Sequence, residues 1–328
     1  MTRLAIALGD PAGIGAEVVL KALAHRRDLN PLLVGCRQWL QASYEQLLPR
    51  CREPLANPEQ LEILDLPLTE DIAPGAISCE AGAASFAWLT AASQAVLDGR
   101  AQALVTAPIA KTAWHQAGHH YPGQTERLAE LCGCDDAAML FTARSPHSGW
   151  RFNTLLATTH IPLSSVPTAL TPERMQQRLM QLEEFCRRFC DHPRLRVAGL
   201  NPHAGEAGQL GEEEQTWMTP LLNRHQHLRS NLQLEGPVPP DTCWLGAAQA
   251  WHDPEHIDAG CDGYLALYHD QGLIPVKLLA FDQAVNTTLG LPFLRTSPDH
   301  GTGFDRAGQG SARGASMLAA IDTAVELG

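Results

Sequence analysis

Lysine, and positive charge more generally, is scarce in this sequence. Among 328 residues the lysines are Lys21, Lys111 and Lys277, and every other basic side chain is an arginine. The 24 basic residues are outnumbered by 36 acidic ones, which gives a formal charge of -12 with histidine neutral. Proteins that bind nucleic acid hold the phosphate backbone with clustered positive charge. We therefore expect no nucleic-acid partner.

Disulfide frameworks, zinc fingers and long hydrophobic runs are also lacking. The nine cysteines are odd in number and scattered, and the close pairs Cys132/Cys134 and Cys186/Cys190 have no partners at zinc-finger spacing. The N-terminal apolar run meets Gly9 before it reaches the length of a signal peptide, and no stretch is long enough to cross a bilayer. We expect a reduced, cytoplasmic protein without a membrane partner.

Three familiar motifs of nucleotide-binding proteins and hydrolases are missing. The glycine turn at 9–15 lacks the G-x-G-x-x-G spacing, and no acidic residue closes the apolar strand that follows at 32–36. No P-loop lysine follows a glycine run, and no G-x-S-x-G elbow occurs. These absences disfavour an ordinary Rossmann site, a P-loop NTPase and a serine hydrolase. The turn at 9–15 is predicted to serve tight packing of a strand on a helix.

Short apolar segments alternate with longer helical patterns along the chain. Strands are predicted at 3–8, 31–35, 103–108, 138–142, 154–158, 195–200, 263–268 and 276–281. Helices are predicted at 17–24, 80–97, 172–190, 211–227 and 311–327. This order predicts an α/β fold with a largely parallel sheet, in which ligands bind at the carboxyl ends of the strands. The length favours two domains, or one large α/β unit with a lobe.

Three histidines, His160, His203 and His269, each follow one of the predicted strands. A single histidine in such a place is usually a hydrogen-bonded structural residue. Three at equivalent strand ends favour a metal site, because three neutral imidazoles bind a divalent cation and leave a position open for substrate. Zn²⁺ is the metal that such a site favours, with Mg²⁺ and Co²⁺ as alternatives. This interpretation requires that the three strands share one edge of a sheet.

Polar residues continue through the otherwise apolar region after His269. They are Asp270, Lys277, Asn286 and Arg295. A buried cation needs a carboxylate, a phosphate or access to water. One interpretation is an internal salt bridge, for instance between Lys277 and Asp282. The other is a small anionic substrate. Arg295 would then make a bidentate contact with its phosphate or carboxylate, and Lys277 would supply a charge or transfer a proton.

The segment 295–310 is rich in glycine and also contains serine, threonine, aspartate and histidine. Such a composition is typical of a loop whose backbone approaches a ligand closely. A flexible connector is the alternative interpretation. The regular placement of His300, Thr302 and Asp305 favours a nucleotide-binding loop.

Taken together, these motifs resemble the 4-hydroxythreonine-4-phosphate dehydrogenases, a family of the pyridoxine pathway. Seven blocks in the family's order extend the resemblance over nearly the whole chain: 9–15, 106–111, 121–126, 157–160, 201–206, 268–272 and 286–297. The resemblance implies the two-domain fold of isocitrate and isopropylmalate dehydrogenases, with α/β/α layers and the active site in the interdomain cleft. We place the first domain at 1–120 plus 306–328. The second, at 121–305, would contain the metal ligands and the dimer interface.

The resemblance also implies a role for each matched position. The metal ligands would be His160, His203 and His269, in a site completed across a homodimer interface. The substrate contacts would be Gln124, Thr125, Lys277, Asn286 and Arg295. The residues that bind NAD or NADP would be His300, Gly301, Thr302 and Asp305.

One position departs from the family's commonest pattern. The residue before Thr125 is often histidine in the family and is Gln124 here. An amide donates a hydrogen bond to a phosphate but has no positive charge. Either the site tolerates this exchange or the preferred substrate differs.

The implied reaction is the NAD(P)-dependent oxidation of 4-phosphohydroxy-L-threonine in pyridoxal 5'-phosphate biosynthesis. Its 3-oxo acid product loses carbon dioxide to give 3-amino-2-oxopropyl phosphate. The divalent metal would lower the pKa of the substrate alcohol, and Lys277, or Asp270 through water, would take the proton. The nearest alternative is a paralogous dehydrogenase for a 4-phosphorylated threonate or erythronate or for a dihydrodiol carboxylate. A phosphate acyltransferase on a related fold is less favoured.

Two of the three lysines give opposite expectations. Lys277 lies among the implied substrate contacts, so Lys277→Met should abolish turnover with little loss of folding. Lys21 lies on a plain predicted helix, so Lys21→Met should affect neither turnover nor folding.

Overall fold

The computed structural model describes residues 2–328, and these form two compact units. The first unit extends to residue 137 and resumes at 285–328, and the second is 138–284. From the sequence we placed the boundaries at 120/121 and 305/306, so both differ from the structure.

Packing within the first unit explains the difference at both boundaries. The helix Gln124–Cys132 packs on the helix Cys79–Leu97, which keeps the segment after residue 120 in the first unit. The strand Leu294–Pro298 pairs with Ala103–Thr106 and also with Val285–Leu289. These pairings place the segment before residue 306 in the first unit as well.

Eleven strands and eleven α-helices form the regular structure of the described residues. The strands are β1 (Leu4–Ala7), β2 (Leu32–Gly35), β3 (Glu62–Asp65), β4 (Ala103–Thr106), β5 (Ala138–Arg144), β6 (Arg151–Leu156), β7 (Arg194–Ala198), β8 (Gln233–Val238), β9 (Gly263–Ala266), β10 (Val285–Leu289) and β11 (Leu294–Pro298). The helices are α1 (Gly15–His25), α2 (Arg37–Leu47), α3 (Cys79–Leu97), α4 (Lys111–Gln116), α5 (Gln124–Cys132), α6 (Val166–Ala169), α7 (Pro172–Cys186), α8 (Thr219–His227), α9 (Ala247–His252), α10 (His269–Ala280) and α11 (Ala315–Leu327). None of the described helices is both long enough and apolar enough to cross a membrane.

The first unit is built on strands in the order β3-β2-β1-β4-β11-β10. All neighbours in this order are parallel except β10 and β11, which form an antiparallel pair. Every residue of β1, β2 and β4 is buried. A strand covered on both faces is apolar throughout, which is why these three strands appear in the sequence as continuous apolar runs.

The glycine turn between β1 and α1 is required by close packing. Gly9 has a φ of +75°, and a Cβ atom on it would lie 2.4 Å from the carbonyl oxygen of Pro108. A Cβ atom on Gly15 would lie 2.2 Å from the carbonyl oxygen of Leu8. Only glycine fits at such distances, so the predicted tight packing of this strand on its helix is confirmed.

Lys21 contradicts the expectation of a plain helical lysine. Its side chain is 1% exposed, and its Nζ atom lies 2.9 Å from Glu17 Oε1. The same ammonium donates hydrogen bonds to the carbonyl oxygens of Ala312 at 2.6 Å and Gly310 at 3.2 Å. The amide of Ala312 in turn donates to Glu17 Oε1 at 2.7 Å. The ion pair thus ties α1 to the segment before α11, so Lys21→Met is expected to reduce stability.

The second unit is built on strands in the order β5-β6-β9-β7-β8. Strands β6, β9, β7 and β8 are parallel neighbours, and β5 pairs with β6 in the antiparallel direction. Phe152 and Tyr264 are buried on the central strands, where Tyr264 meets Phe152 edge-on and stacks on Trp244. Because β6, β9 and β7 are parallel neighbours, their carboxyl ends lie side by side.

One predicted strand is wrong. The apolar segment 276–281 is the last part of α10, which begins at His269 directly after the extended residue Tyr268 and contains Pro275 in its interior. A short apolar run fits a buried strand and a buried helix turn equally well, so periodicity alone could not decide between them.

Candidate active site

Arg295 lies on β11 with only 3% of its surface exposed. Its guanidinium donates to Thr106 Oγ1 through Nε at 3.1 Å and Nη2 at 2.7 Å, and to Thr288 Oγ1 through Nη1 at 3.2 Å. Its remaining partner is Gln124 Oε1, 3.2 Å from Nη2. Burial lowers the pKa of Arg295 to about 10, so the side chain is still charged at neutral pH. All of these hydrogen-bond partners are uncharged, and the charge of Glu126 acts on the guanidinium without a hydrogen bond, in the direction that raises its pKa. The uncharged partners leave the guanidinium suited to an incoming anion.

Gln124 begins α5 and connects Arg295 to the end of β4. Its Nε2 atom donates to the carbonyl oxygen of Ala107 at 3.2 Å, while its Oε1 atom accepts from the Arg295 guanidinium. Thr125 follows in the first turn of the same helix. The amide therefore orients the arginine without adding a second positive charge, and Gln124 and Arg295 are brought together as the sequence implied.

Asn286 lies on β10, opposite Ser297 of β11 in the antiparallel pair. Its Oδ1 atom is buried and has no hydrogen-bond partner among the described residues. An unsatisfied buried acceptor is costly, and such atoms are concentrated at sites that receive a ligand. The position of Asn286 is consistent with a substrate contact.

The predicted coenzyme loop packs against the first glycine turn. The carbonyl oxygen of Thr302 accepts from the amide of Ile14 at 2.9 Å, and a Cβ atom on Gly13 would lie 2.8 Å from that same oxygen. His300 Nδ1 lies 3.0 Å from the carbonyl oxygen of Gly301, and its Nε2 atom is buried without a partner in the described chain. Asp305 is exposed in the short helical turn Phe304–Arg306.

The glycine turn therefore does more than pack β1 on α1. It also supports the loop 300–305, a function that the sequence interpretation did not assign to it. The open space around Gly301, where a Cβ atom would meet nothing within 4 Å, leaves room for a ligand beside the backbone. The buried, unpartnered nitrogen of His300 fits the hydrogen-bonding groups of a nucleotide coenzyme.

The three histidines of the second unit follow three adjacent parallel strands. His160 comes after β6, His269 after β9 and His203 after β7, so all three lie at one edge of this sheet. The rings of His160 and His269 have centroids 5.4 Å apart. The shared strand edge that the metal interpretation required is present.

His203 stands apart from the other two. It is the first residue of a left-handed turn, and its side chain is 65% exposed. Within residues 2–328, no group of three or more histidine, cysteine, aspartate or glutamate side chains is arranged to hold a metal ion. The structure therefore pairs His160 with His269 and does not bring His203 to them.

Asp270 and Lys277, the two candidate proton acceptors, both lie on α10. Asp270 Oδ1 lies 2.7 Å from His269 Nδ1, a hydrogen bond that leaves His269 Nε2 as the ring nitrogen available for a metal. Lys277 Nζ lies 5.3 Å from the ring centroid of Phe281, and burial lowers the pKa of this lysine. A lowered lysine pKa increases the fraction of neutral amine that can accept a proton.

Comparison with known proteins decides the family. A family model described as pyridoxal phosphate biosynthetic protein PdxA matches residues 26–324. The chain belongs to the PdxA family.

Relatives of this PdxA-family chain agree with that assignment. A 4-hydroxythreonine-4-phosphate dehydrogenase from Synechococcus sp. (strain RCC307) is 86% identical over 328 residues, which is 100% of both chains. The crystal structure of the Klebsiella pneumoniae enzyme of the same name is 35% identical with a TM-score of 0.83, covering 99% of this chain and 98% of that one. A terephthalate 1,2-cis-dihydrodioldehydrogenase from Burkholderia xenovorans LB400 is 28% identical with a TM-score of 0.66, over 99% and 98% of the two chains. The family resemblance and the fold class predicted from the sequence are confirmed.

Two residues that hold Arg295 in place were not among the site residues predicted from the sequence. Thr106 and Thr288 supply the hydroxyl groups that hold the Arg295 guanidinium. Both are buried at strand positions, where a threonine is normally interpreted as a β-branched packing residue. The available signal was the position of Thr106 at the carboxyl end of an otherwise apolar strand.

Proposed function

We propose that this chain oxidises 4-phosphohydroxy-L-threonine with NAD or NADP. The product is a 3-oxo acid, which decarboxylates to 3-amino-2-oxopropyl phosphate in the pathway to pyridoxal 5'-phosphate. The observation that supports this substrate above others is the 86% identity, over the full length, to a 4-hydroxythreonine-4-phosphate dehydrogenase. The buried Arg295, with its uncharged partners, supports an anionic substrate independently of that name.

Arg295, Gln124, Thr125 and Asn286 bind and orient the substrate in this proposal. The planar guanidinium of Arg295 suits the bidentate geometry of a phosphate or carboxylate. It is already held by hydrogen bonds, so little reorganisation is needed when the anion arrives. The Gln124 amide and the Thr125 hydroxyl add uncharged hydrogen bonds. Asn286 supplies the unsatisfied Oδ1 atom as an acceptor for a hydroxyl or ammonium group of the substrate.

The divalent metal is assigned to His160, His203 and His269. Imidazole nitrogens suit Zn²⁺ best, with Co²⁺ and Mg²⁺ as alternatives. The His160–His269 ring pair and the carboxylate on His269 Nδ1 support two members of this donor set. His203 is assigned from the family resemblance alone. When bound, the cation supplies Lewis-acid polarisation of the oxygen atoms of the substrate. The contact between Asp270 and His269 Nδ1 fixes the orientation of the His269 ring.

Lys277 is assigned as the group that accepts the hydroxyl proton. As the substrate C–H bond gives up its hydride to the coenzyme and the carbonyl forms, the O–H proton moves to the Nζ atom of Lys277. Partial burial supports this role because it lowers the lysine pKa. Asp270 through water is the alternative acceptor, but its carboxylate is already engaged by His269 Nδ1.

The loop with His300, Gly301, Thr302 and Asp305 is assigned to the nicotinamide coenzyme, which supplies the hydride acceptor. The backbone contact between Thr302 and Ile14 fixes the position of this loop. The buried Nε2 of His300 offers a hydrogen bond to the coenzyme. All nine cysteines are free, which supports a reducing compartment, and we propose that the enzyme works in the cytoplasm.

A second copy of this chain is the proposed partner. Ile274, Leu278 and Phe281 are exposed at helical spacing along α10 and at its end. A contiguous apolar stripe of this kind is typical of an interface. We expect Leu278→Arg to shift the protein from dimer to monomer in sedimentation, whereas Leu228→Arg, a change at an isolated exposed leucine after α8, leaves the dimer intact. A Leu278→Arg protein that is still dimeric would rule out this face.

The decisive experiment compares substrates with purified protein and NAD. NADH formation with 4-phosphohydroxy-L-threonine should greatly exceed that with 4-phosphorylated threonate, 4-phosphorylated erythronate or a dihydrodiol carboxylate. A reversed ranking would replace the assignment with that of a paralogous dehydrogenase. Removal of metal by chelation should stop NADH formation, and addition of Zn²⁺ or Co²⁺ should restore it. Full activity after chelation, together with a fully active His203→Ala variant, would overturn the metal assignment.

A further inference from the structure

Lys111 is the third lysine of the chain, and neither the core of the first unit nor the proposed reaction uses it. Lys21 is buried in an ion pair, and Lys277 lies on α10 of the second unit. Lys111 is the first residue of α4, after the end of β4, and is exposed. None of the ion pairs within residues 2–328 includes Lys111, so no carboxylate lies within salt-bridge distance of its ammonium group.

Lys111 extends to the start of α5, where the Gln124–Arg295 contact is found. Gly123 directly precedes α5, and a Cβ atom built on Gly123 would lie 3.6 Å from Lys111 Cε and 3.9 Å from Lys111 Nζ. The next residue, Gln124, accepts a hydrogen bond from Arg295 Nη2 at 3.2 Å. The two cations therefore lie beside consecutive residues at the start of one helix.

Glycine at position 123 leaves room beside the Lys111 ammonium. Its φ of −178° is extended backbone that any residue adopts, so the conformation does not require glycine. A Cβ atom would lie 3.3 Å from Glu126 Oε2, which is tighter than most contacts of a real Cβ atom, and would occupy the space next to Lys111. The missing side chain therefore leaves an open position bordered by Lys111, Glu126 and the start of α5.

The start of α5 supplies hydrogen-bond donors at this position. No side chain caps this helix of nine residues, so amide groups of its first turn have no intrahelical acceptor. The N-terminus of a helix favours an anion for this reason. Arg295 indicates an anion here independently, because the hydrogen bonds of this buried charge go to uncharged groups alone.

The charges at this position do not match a phosphate unless Lys111 is included. A phosphate monoester has a charge of about −1.5 to −2 at pH 7. Arg295 contributes one positive charge, and Gln124 contributes none. The carboxylate of Glu126 contributes a negative charge, which favours the protonated form of Arg295. Arg295 and Glu126 together therefore have no net charge, and the Lys111 ammonium supplies the positive charge that a phosphate requires.

We propose that Lys111 binds the phosphate group of the substrate. The ammonium contacts the phosphate as a flexible point charge beside the amides of α5, whereas hydrogen bonds hold the guanidinium of Arg295 in one orientation. This inference rests on the proposed function, which supplies a phosphorylated substrate. The carboxylate of the substrate is the competing anion, so the experiment includes a substrate that has the carboxylate and lacks the phosphate.

Lys111→Gln in the full-length protein tests the proposal, because glutamine keeps a hydrogen-bond donor and removes the charge. The matched control is Arg100→Gln. Arg100 is also exposed but precedes β4, whereas Lys111 follows it, so the same charge is lost at the opposite end of the strand.

Three measurements separate the phosphate from the rest of the substrate. Steady-state kinetics with NAD and 4-phosphohydroxy-L-threonine give KM and kcat. Inorganic phosphate, used as a competitive inhibitor, gives the affinity for the anion alone. Turnover of unphosphorylated 4-hydroxy-L-threonine reports on the carboxylate without the phosphate.

We expect Lys111→Gln to raise KM for 4-phosphohydroxy-L-threonine and the inhibition constant of inorganic phosphate by about 10- to 100-fold, the usual effect of losing a hydrogen bond from a charged group. Its kcat, and its kcat/KM for 4-hydroxy-L-threonine, should stay close to those of the wild type. Lys111→Arg, which keeps the charge, should restore most of both constants. Gly123→Ala, which leaves both cations in place but fills the space beside Lys111, should raise both constants as Lys111→Gln does.

The outcomes that contradict the proposal are distinct from failure of the proposed function. Unchanged constants in Lys111→Gln would overturn the role of Lys111 and leave the proposed function intact. Equal weakening in Arg100→Gln would also overturn it, because it would indicate a general effect of charge. An equal loss with 4-hydroxy-L-threonine would assign Lys111 to the carboxylate instead. If the wild type did not oxidise 4-phosphohydroxy-L-threonine, the proposed function would fail, and calorimetric titration of wild type and Lys111→Gln with inorganic phosphate would still decide whether Lys111 binds phosphate.

Discussion

The two units hold their functional side chains in opposite ways. In the first unit Arg295 is 3% exposed and hydrogen-bonded to Thr106, Thr288 and Gln124. In the second unit His160 and His203 are exposed, on turns after strand ends. The first unit therefore has a buried group that several hydrogen bonds hold in place, whereas the second has donors that lie in contact with water.

This difference follows from the free-energy cost of each group in the protein without its ligand. A buried guanidinium without an anion is costly, so it persists where fixed dipoles hold it and where binding an anion repays the cost. Exposed imidazoles carry little desolvation cost in the free protein, because they stay in contact with water. Substitution of Arg295 should therefore affect anion binding, whereas substitutions at the histidines and Asp270 should affect metal affinity.

Lys277→Met should have the largest effect. Removal of the proposed proton acceptor should lower kcat by about 10²–10⁴-fold, the usual contribution of a general base. The wild-type kcat should rise with pH as Lys277 loses its proton, over a range below the ordinary lysine pKa because burial lowers the pKa of this group. The denaturation midpoint should change little, because the side chain is only partly buried.

The pH profile of Lys277→Met provides the check on its kcat. The rising limb should disappear in the variant, because methionine fills similar space and does not titrate. A variant that retains the same limb would place the proton acceptor elsewhere, with Asp270 the next candidate.

Arg295→Met should have the next largest effect. It changes the first unit, where it should weaken binding of the anionic substrate. Loss of a buried charge that pairs with an anion costs about 2–5 kcal/mol, or about 30- to 4000-fold in kcat/KM. Arg295→Lys should recover only part of this loss, because an ammonium cannot match the two-pronged contact of a guanidinium. Steady-state kinetics with varied substrate measures both variants.

Thr288→Val is the matched control for Arg295. It removes one uncharged acceptor of the guanidinium and leaves the charge, so about 1 kcal/mol, or roughly fivefold in kcat/KM, is expected. If Arg295→Met reduced kcat/KM no more than Thr288→Val, Arg295 would have a structural function alone, and the contrast between the two units would fail.

Lys21→Met should affect folding and not chemistry. It leaves Glu17 buried without its cation, and breaking such a pair costs about 3–5 kcal/mol of unfolding free energy. Burial lowers the pKa of Lys21, but the hydrogen bond and charge of Glu17 outweigh that effect, so the pKa is raised overall. The stabilisation is therefore complete below the ordinary lysine pKa and is lost as pH rises through the raised value.

Denaturant unfolding of a double variant distinguishes the ion pair from simple packing. Lys21→Met with Glu17→Leu removes both charges, and it should be more stable than Lys21→Met alone because no unpaired carboxylate is left buried. If the double variant were the less stable of the two, side-chain volume would explain the loss better than charge does.

The fold was largely predictable from the sequence because its inner strands are apolar throughout. The runs at β1, β2, β4 and β9 lie within their predicted segments, and the three histidines follow strand ends as expected. Segment 276–281 was wrongly predicted as a strand because its apolar residues fit two periodicities. Strands β3, β8, β10 and β11 were not predicted. The residues of β3 and β8 are mostly exposed or only partly buried, and β10 and β11 interrupt their apolar residues with polar ones, such as Asn286 and Arg295.

The candidate site was less predictable where long-range contacts decide it. Nothing near Lys21 in the sequence indicates the carbonyl groups at 310 and 312 that surround it, which are almost 300 residues away along the chain. The left-handed turn after His203 contains alanine and glutamate, residues with no preference for that conformation. The buried carboxylate of Glu214 accepts hydrogen bonds from the amides of Leu200 and Asn201, just before this turn, and those contacts appear only in the fold.

Asp270→Asn should act on metal affinity, and it separates two functions proposed for one side chain. The hydrogen bond from His269 Nδ1 to Asp270 is 2.7 Å long, and its loss should weaken metal affinity by about 10–100-fold. If Asp270 only orients the imidazole, saturating metal should restore kcat. If Asp270 is the proton acceptor, kcat should stay low at every metal concentration. Asp253→Asn is the control, because the exposed His256–Asp253 pair also joins a ring Nδ1 to a carboxylate, at 2.6 Å, and its loss should leave metal affinity unchanged.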